Sequence, residues 1–189
     1  LLSLSANSQA PLLRTYGSGI LTCNLKEKKL LRDYTIDAQY FLEPGDPRVR
    51  EALVSLIQEI VTAYPALDGL QFDYIRYPDK NHSYGFTKTN IERFKAATGA
   101  AVIEEKSRLW QDWKRQQVTE LLGMLVQRAR QRHPGIPVSV TGCAPYVRAS
   151  QEAFQEWPAW VDSGLVDFVT VMAYSPDPHE YRSLLQDAL

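Results

Sequence analysis

Two kinds of hydrophobic pattern alternate along the chain. The first repeats at helical spacing. Val49, Leu53, Leu56, Ile57, Ile60, Val61 and Tyr64 form one broad apolar stripe, opened by Asp46 as N-cap and Pro47 at the first helical position and closed by Pro65. A second stripe, with Trp110, Val118, Leu121, Leu122, Leu125, Val126 and Ala129, predicts a long helix over residues 107–133. Its last turns carry Arg128, Arg130, Arg132 and His133, which suit the negative end of a helix without any ligand. A capping-box pattern at Thr89, Asn90, Ile91 and Glu92 predicts a shorter helix that stops near Gly99. Amphipathic stretches predict two more helices, over 150–163 with Trp157 and Trp160, and over 178–189.

The second pattern is the short apolar run between turn signals. Leu70–Phe72 follows Asp68-Gly69, residues 137–142 follow Pro134-Gly135, and residues 166–174 follow Gly164. Such runs read as strands buried on both faces, as in parallel sheets. Residues 39–42 read as extended up to the Glu43-Pro44-Gly45 turn. Residues 1–37 are broken by Ser, Asn, Gln, Pro and Gly, and only 19–23 predict a further short strand. Lys26 to Lys29 with Arg32 read as a solvated charged face.

Strands alternating with helices place the chain in the α/β class with a central parallel sheet. A full (β/α)8 barrel typically needs ~250 residues, and the chain has 189. The expectation is therefore one incomplete domain over 1–189, a partial TIM-type barrel holding the middle strands and lacking the early and late ones. An open doubly wound sheet is the alternative. No glycine-rich phosphate fingerprint follows any strand, which argues against a nucleotide site.

Composition narrows the partners. The chain is 44% hydrophobic and 23% charged with net charge −1, an ordinary globular balance. So small a charge makes no electrostatic case for nucleic acid or an anionic membrane. No apolar run approaches the ~20 residues of a membrane span. Cys23 and Cys143 stand far apart without metal spacing, so neither a disulfide framework nor a metal site is expected, and no cofactor is implied. Leu1 is not Met, and the first ten residues lack the features of a signal peptide, so the chain reads as an excerpt.

The candidate chemistry gathers where the predicted strands end. In a barrel, catalytic groups stand at the C-terminal ends of strands. Asp73 follows the Leu70–Phe72 run, with Tyr74, Arg76 and Tyr77 close behind. One carboxylate, one guanidinium and two phenols suit a polyhydroxylated substrate; the bland alternative is that Asp73 caps the next loop. Tyr146 follows the strand over 137–142, while Tyr174 and then Asp177 follow the strand over 166–174. Trp113 and Arg115, in the first turns of the long helix, either reach substrate or serve packing and a surface charge. His82, in a polar loop over 79–88, reads as solvated. Asp162 and Asp167, at the opposite end of the strands, read as caps or turn residues.

Residues 40–50 (Tyr-Phe-Leu-Glu-Pro-Gly-Asp-Pro-Arg-Val-Arg) and 68–78 (Asp-Gly-Leu-Gln-Phe-Asp-Tyr-Ile-Arg-Tyr-Pro) resemble the bacterial family 10 glycosyl-hydrolase-like proteins. The resemblance continues through Trp113-Lys114-Arg115, the Pro145 loop, Trp157 to Gly164, and Val166 to Tyr174, covering residues 40–175. It implies a (β/α)8 barrel acting on a bacterial glycan such as peptidoglycan or an exopolysaccharide, in an extracytoplasmic setting. Family 18 chitinases are more distantly similar, through Asp68-Gly69, Asp73 and Met172-Ala173-Tyr174. Gln71, Ile75 and Ser175 replace three of their acidic positions, so a chitinase mechanism does not carry over whole.

Two functions follow as expectations. The first is a glycosidase, with Asp73 as one of the two carboxylates such enzymes use. Asp177 is the first candidate for the other and Glu43 stands behind it. Tyr74, Arg76, Tyr77, Trp113, Arg115, Tyr146 and Tyr174 would bind substrate. The second is a non-catalytic glycan-binding barrel.

Overall fold

The computed structural model describes residues 1–79 and 83–188. In chain order the elements are β1 (Ser3–Ser5), α1 (Pro11–Tyr16), β2 (Gln39–Phe41), α2 (Pro47–Ala63), β3 (Leu70–Phe72), α3 (Lys88–Thr98), α4 (Arg108–Arg132), β4 (Val138–Cys143), α5 (Tyr146–Arg148), α6 (Trp157–Asp162), β5 (Phe168–Met172) and α7 (Pro178–Gln186). Strands β3, β4 and β5 form a parallel sheet in that order, with Phe72 opposite Val140 and Val140 opposite Val169. Strands β1 and β2 form a separate antiparallel pair. It is tied to the end of β3 where the Leu2 N–H donates to the Tyr74 carbonyl at 3.1 Å.

The two long helices start where local chemistry directs. The Asp46 carboxylate accepts the Arg48 N–H at 2.9 Å at the head of α2, and the Ser107 hydroxyl accepts the Trp110 N–H at 3.3 Å at the head of α4. Val49, Leu53, Ile57 and Val61 of α2 and Val118, Leu121, Leu122 and Leu125 of α4 share one buried cluster with Phe72, Val138 and Val140 of the sheet. Each such side chain contributes roughly 1.5–3 kcal/mol on burial. The helices therefore hold the outer face of the sheet and fix where the strands end.

Several expectations needed correction. Only the central strand β4 is buried on both faces as expected; in the flanking strands Gln71 and Thr170 are exposed, because polar residues line the face away from α2 and α4. Residues 17–20 form a single tight turn, and Leu21 makes only an isolated bridge to Leu42, so no strand spans 19–23. The helix over 88–98 is capped by Thr87, whose hydroxyl accepts the Asn90 N–H, two residues before the expected start. No continuous helix covers 150–163. Phe154 sits at φ 58°, in the left-handed region, and breaks the segment into a wide turn at Ala149–Ala153 and the short α6. Asp167, expected as a cap or turn residue, reaches across to the start of the neighbouring strand. Its Oδ2 accepts the Val138 N–H at 2.7 Å and pairs with Arg130 at 3.0 Å.

Candidate active site

The face of the sheet away from α2 and α4 is a polar surface built by strand alternation. Side chains at successive residues point to opposite faces, so Gln71 and Asp73 share a face with Ser139, Thr141 and Thr170 through the register. They bond to one another. The Ser139 and Thr170 hydroxyls donate to Gln71 Oε1 at 3.4 and 3.2 Å, and the Thr141 hydroxyl donates to Asp73 Oδ1 at 2.6 Å.

Asp73 stands at the C-terminal end of β3 with its side chain 52% exposed. Its Oδ1 also accepts the Tyr74 N–H at 2.7 Å and lies 3.6 Å from Arg76 Nη1. Both the capping role and the open position are thus present in one side chain. Tyr74 follows in the left-handed region at φ 56°. A non-glycine residue there costs about 1–3 kcal/mol, and such outliers gather at functional sites. This conformation lays the Tyr74 ring under Arg76, whose Cζ is 4.1 Å from the ring centroid, and against Phe41 at 6.0 Å. Arg76 itself is only 6% exposed, and its Nε and Nη1 have no hydrogen-bond partner. The Arg76 guanidinium is thus a buried positive charge behind the open Asp73 carboxylate, its unused donors shielded from solvent.

A second carboxylate lies nearby at the strand ends. Asp79 Oδ2 accepts from Arg148 Nη2 at 2.5 Å and from the Cys143 thiol at 3.8 Å. Cys143 ends β4, one strand over from Asp73. Burial pushes the Cys143 thiol up to about 11, so it is no nucleophile at neutral pH. The segment after β4 is latched by Gln155, which donates to the Ile75 and Thr141 carbonyls at 3.1 and 3.0 Å and accepts the Cys143 N–H at 3.0 Å.

Beneath this surface lies a sealed polar cluster. Glu43 is 0% exposed, and its carboxylate accepts the Tyr77 hydroxyl at 2.5 Å and the Thr22 hydroxyl at 2.9 Å. Burial raises the Glu43 carboxyl above its ordinary range, against the pull of these hydrogen bonds. Burial, then the neighbouring Glu43, raises the Tyr77 hydroxyl too. Lys114, also fully buried, sits 3.8 Å from the Phe154 ring centroid, and burial lowers its ammonium to about 7. The loop that carries Glu43 is clamped from outside. Arg50 donates to the Pro44 carbonyl at 2.8 Å, and Arg93 Nη1 donates to the Gly45 carbonyl. Gly45 admits no side chain, since a Cβ there would lie 2.3 Å from Asn90 Oδ1.

The remaining candidates are dispersed. Tyr77 and Trp113 are buried, the latter with its indole N–H on Asn90 Oδ1 at 2.9 Å. Tyr146 and Arg115 meet each other through Glu156, which takes the Tyr146 hydroxyl at 2.8 Å and lies 3.5 Å from Arg115 Nε. Asp177 caps α7, accepting the His179 and Glu180 N–H groups at 2.7 and 3.0 Å. Tyr174 is 84% exposed and makes no hydrogen bond among the described residues. His82 lies outside the described residues.

With this geometry in place, the comparison with protein families is direct. The model of the glycosyl hydrolase-like 10 family matches residues 19–187. This chain belongs to the glycosyl hydrolase-like 10 family. Glycosyl hydrolase DigH of Escherichia coli K12 is 24% identical over 152 residues, covering 73% of this chain and 32% of that protein. The DigH proteins of Escherichia coli O157:H7 and Shigella flexneri match to the same extent. The chain thus spans about a third of the length of these relatives.

In this glycosyl hydrolase-like 10 chain, sequence reasoning missed Asp79, Arg148, Thr141 and Gln155. For Asp79 a signal was present: it directly follows Tyr77-Pro78 at the end of the motif that holds Asp73. Thr141, Arg148 and Gln155 carried none, because their partners lie 68, 69 and 80 residues away.

Proposed function

We propose that this chain supplies the carboxylates of a glycoside hydrolase that cleaves a bacterial cell-envelope or extracellular polysaccharide outside the cytoplasm. In this reading residues 1–189 belong to one (β/α)8 barrel, and β3, β4 and β5 are its middle strands. The observation that carries it is Asp73, half-exposed at the end of a parallel strand and held by Thr141 beside a buried arginine with unused donors.

Asp73 acts as nucleophile or as electrostatic partner of the oxocarbenium-like centre. Tyr74 meets sugar oxygens on one side of it, with the buried Arg76 charge behind. Asp79 is the preferred second carboxylate, since it shares the strand-end rim with Asp73. Asp177 is the alternative, and would have to leave the α7 N-terminus to act. Glu43 is a supporting group, because it is sealed. Tyr146, Arg115 and Tyr174 extend the contact surface for a longer glycan, while Tyr77 and Trp113 hold it from below.

The second reading is a glycan-binding module without turnover. One observation favours it: Asp79 is already engaged by Arg148 at 2.5 Å, so it would have to leave that partner to meet a glycosidic oxygen.

The test uses the full-length protein with purified peptidoglycan glycan strands and with exopolysaccharide, following release of reducing ends. Asp73→Asn is expected to lower turnover about 10²–10⁴-fold with binding retained, and Asp79→Asn to lower it more than Asp177→Asn. Undiminished cleavage by Asp73→Asn removes the mechanism. Saturable glycan binding by the wild type without any reducing ends selects the binding module.

A further inference from the structure

On the outer side of the molecule, where α2, α3 and α4 meet, a groove of about 570 Å³ opens away from the strand ends. Its lining includes Val54 and Met124 as apolar floor, Arg50, Arg93 and Arg128 as cations, and Glu51. Val54 is half-buried and Met124 is 38% exposed, so the floor is open to a ligand.

The three arginines are not equivalent. Arg50 is 8% exposed and fully engaged. Its Nε binds the Pro44 carbonyl, its Nη2 binds the Gln117 carbonyl and Oε1, and its Nη1 pairs with Glu120 at 3.0 Å. Arg93 uses only Nη1, toward the Gly45 carbonyl and Gln117 Oε1. Arg128 uses only Nη1, toward Gln58 Oε1 at 2.5 Å. Both acceptor sets are neutral, and neither Arg93 nor Arg128 forms an ion pair among the described residues. Each therefore keeps Nε and Nη2 unused. Burial, and then the neighbouring Arg50 charge, push the Arg93 guanidinium below its ordinary value, against the opposite pull of Glu120, Asp46 and Glu43.

We infer that this groove is a second binding site, which takes a carboxylate or phosphate group carried on an apolar stem. The anion is held between the free edges of Arg93 and Arg128, contributed by two different helices. Guanidinium forks match the paired oxygens of both acid groups. The stem lies on Val54 and Met124, where its burial adds the apolar contribution that a bare ion lacks. Glu51 is exposed, free to swing clear of a bound anion.

The chain holds two methionines, Met124 in the groove and Met172 at the end of β5. Methyl-labelled methionine therefore gives a reporter and an internal control in one NMR spectrum. Hexyl phosphate, sodium hexanoate and inorganic phosphate are titrated into the protein separately. The Met124 methyl is expected to shift saturably with at least one hexyl anion, with inorganic phosphate at least roughly tenfold weaker, while Met172 stays still. Which hexyl anion binds more tightly identifies the acid group. Arg128→Met, which removes a single hydrogen bond to Gln58, is expected to weaken binding about tenfold. Arg93→Lys, which retains a donor for Gly45, is expected to do the same. Shifts that never saturate, that match at Met124 and Met172, or that persist unchanged in both variants overturn the site.

Discussion

Tyr77→Phe removes one hydroxyl of the sealed cluster, which is bonded to Glu43 and to the Asn90 side chain. Phenylalanine keeps the ring and its edge-on contact with Phe154, whose centroid lies 5.5 Å away. What disappears is the hydroxyl that Glu43 Oε1 accepts at 2.5 Å. That oxygen is then left with the Gly45 N–H, at 3.4 Å. A net hydrogen bond to a charged group contributes about 1.5–3 kcal/mol, and a neutral one about 1 kcal/mol. The loss is thus about 2 kcal/mol when Glu43 is ionised and about 1 kcal/mol when it is protonated. The direction with pH follows from proton linkage. Burial already holds the folded carboxyl above its ordinary 4.5, and the Tyr77 bond pulls it back down. Without that bond the folded state keeps its proton to still higher pH than the unfolded state. Stability then falls more steeply as pH rises from the ordinary value through the raised folded one. Urea unfolding followed by tryptophan fluorescence at pH 5 and pH 8 reads this directly. At pH 8 the melting temperature is expected to drop by roughly 4–8 °C, for a chain of this size. A penalty below about 0.5 kcal/mol at both pH values, or a larger one at pH 5 than at pH 8, refutes the reasoning.

Two further outcomes test the frame around the site. Gly142→Ala places a Cβ 2.7 Å from Val169 Cγ1 and 3.1 Å from Trp157 Cδ1 near the C-terminal end of β4. Overpacking there is expected to cost about 1–3 kcal/mol in thermal unfolding, and an unchanged melting temperature shows that the β4–β5–α6 packing is wrong. Lys114 is held at about 7 against an ordinary 10.5, so the folded state binds fewer protons than the unfolded state between those values. This residue makes wild-type stability climb with pH above 7. Lys114→Met, which fits the apolar contact with Phe154, is expected to flatten that climb between pH 7 and pH 9 by calorimetry; an identical slope removes the role assigned to Lys114.

Much of the frame was legible because its causes are local. The stripes of α2 and α4, the Asp46 cap and the Pro65 stop act over one or two turns of chain. The same holds for the short run that delivers Asp73 to a strand end. Where one residue in a segment overrides the pattern, the reading failed. Phe154 at a positive φ splits an amphipathic stretch that otherwise scans as one helix. The Thr87 hydroxyl captured a helix start that the capping box two residues later also satisfied.

By itself, then, the order of residues determined the α/β alternation, the two long helices and the strand-end position of the Asp73 motif, because backbone propensity, capping and periodic burial are set by near neighbours. Tertiary structure alone decided which polar groups share a surface. Register brought Thr141 onto Asp73 and Thr170 onto Gln71. Packing buried Tyr77 and Trp113, which sequence treats as equal to the open Tyr174. Chain crossing set Arg148 against Asp79, and drew Arg93 and Arg128 to the rim of one groove. Burial and charge pairing are sums over everything within a few ångströms, and most of those neighbours are tens of residues away along the chain.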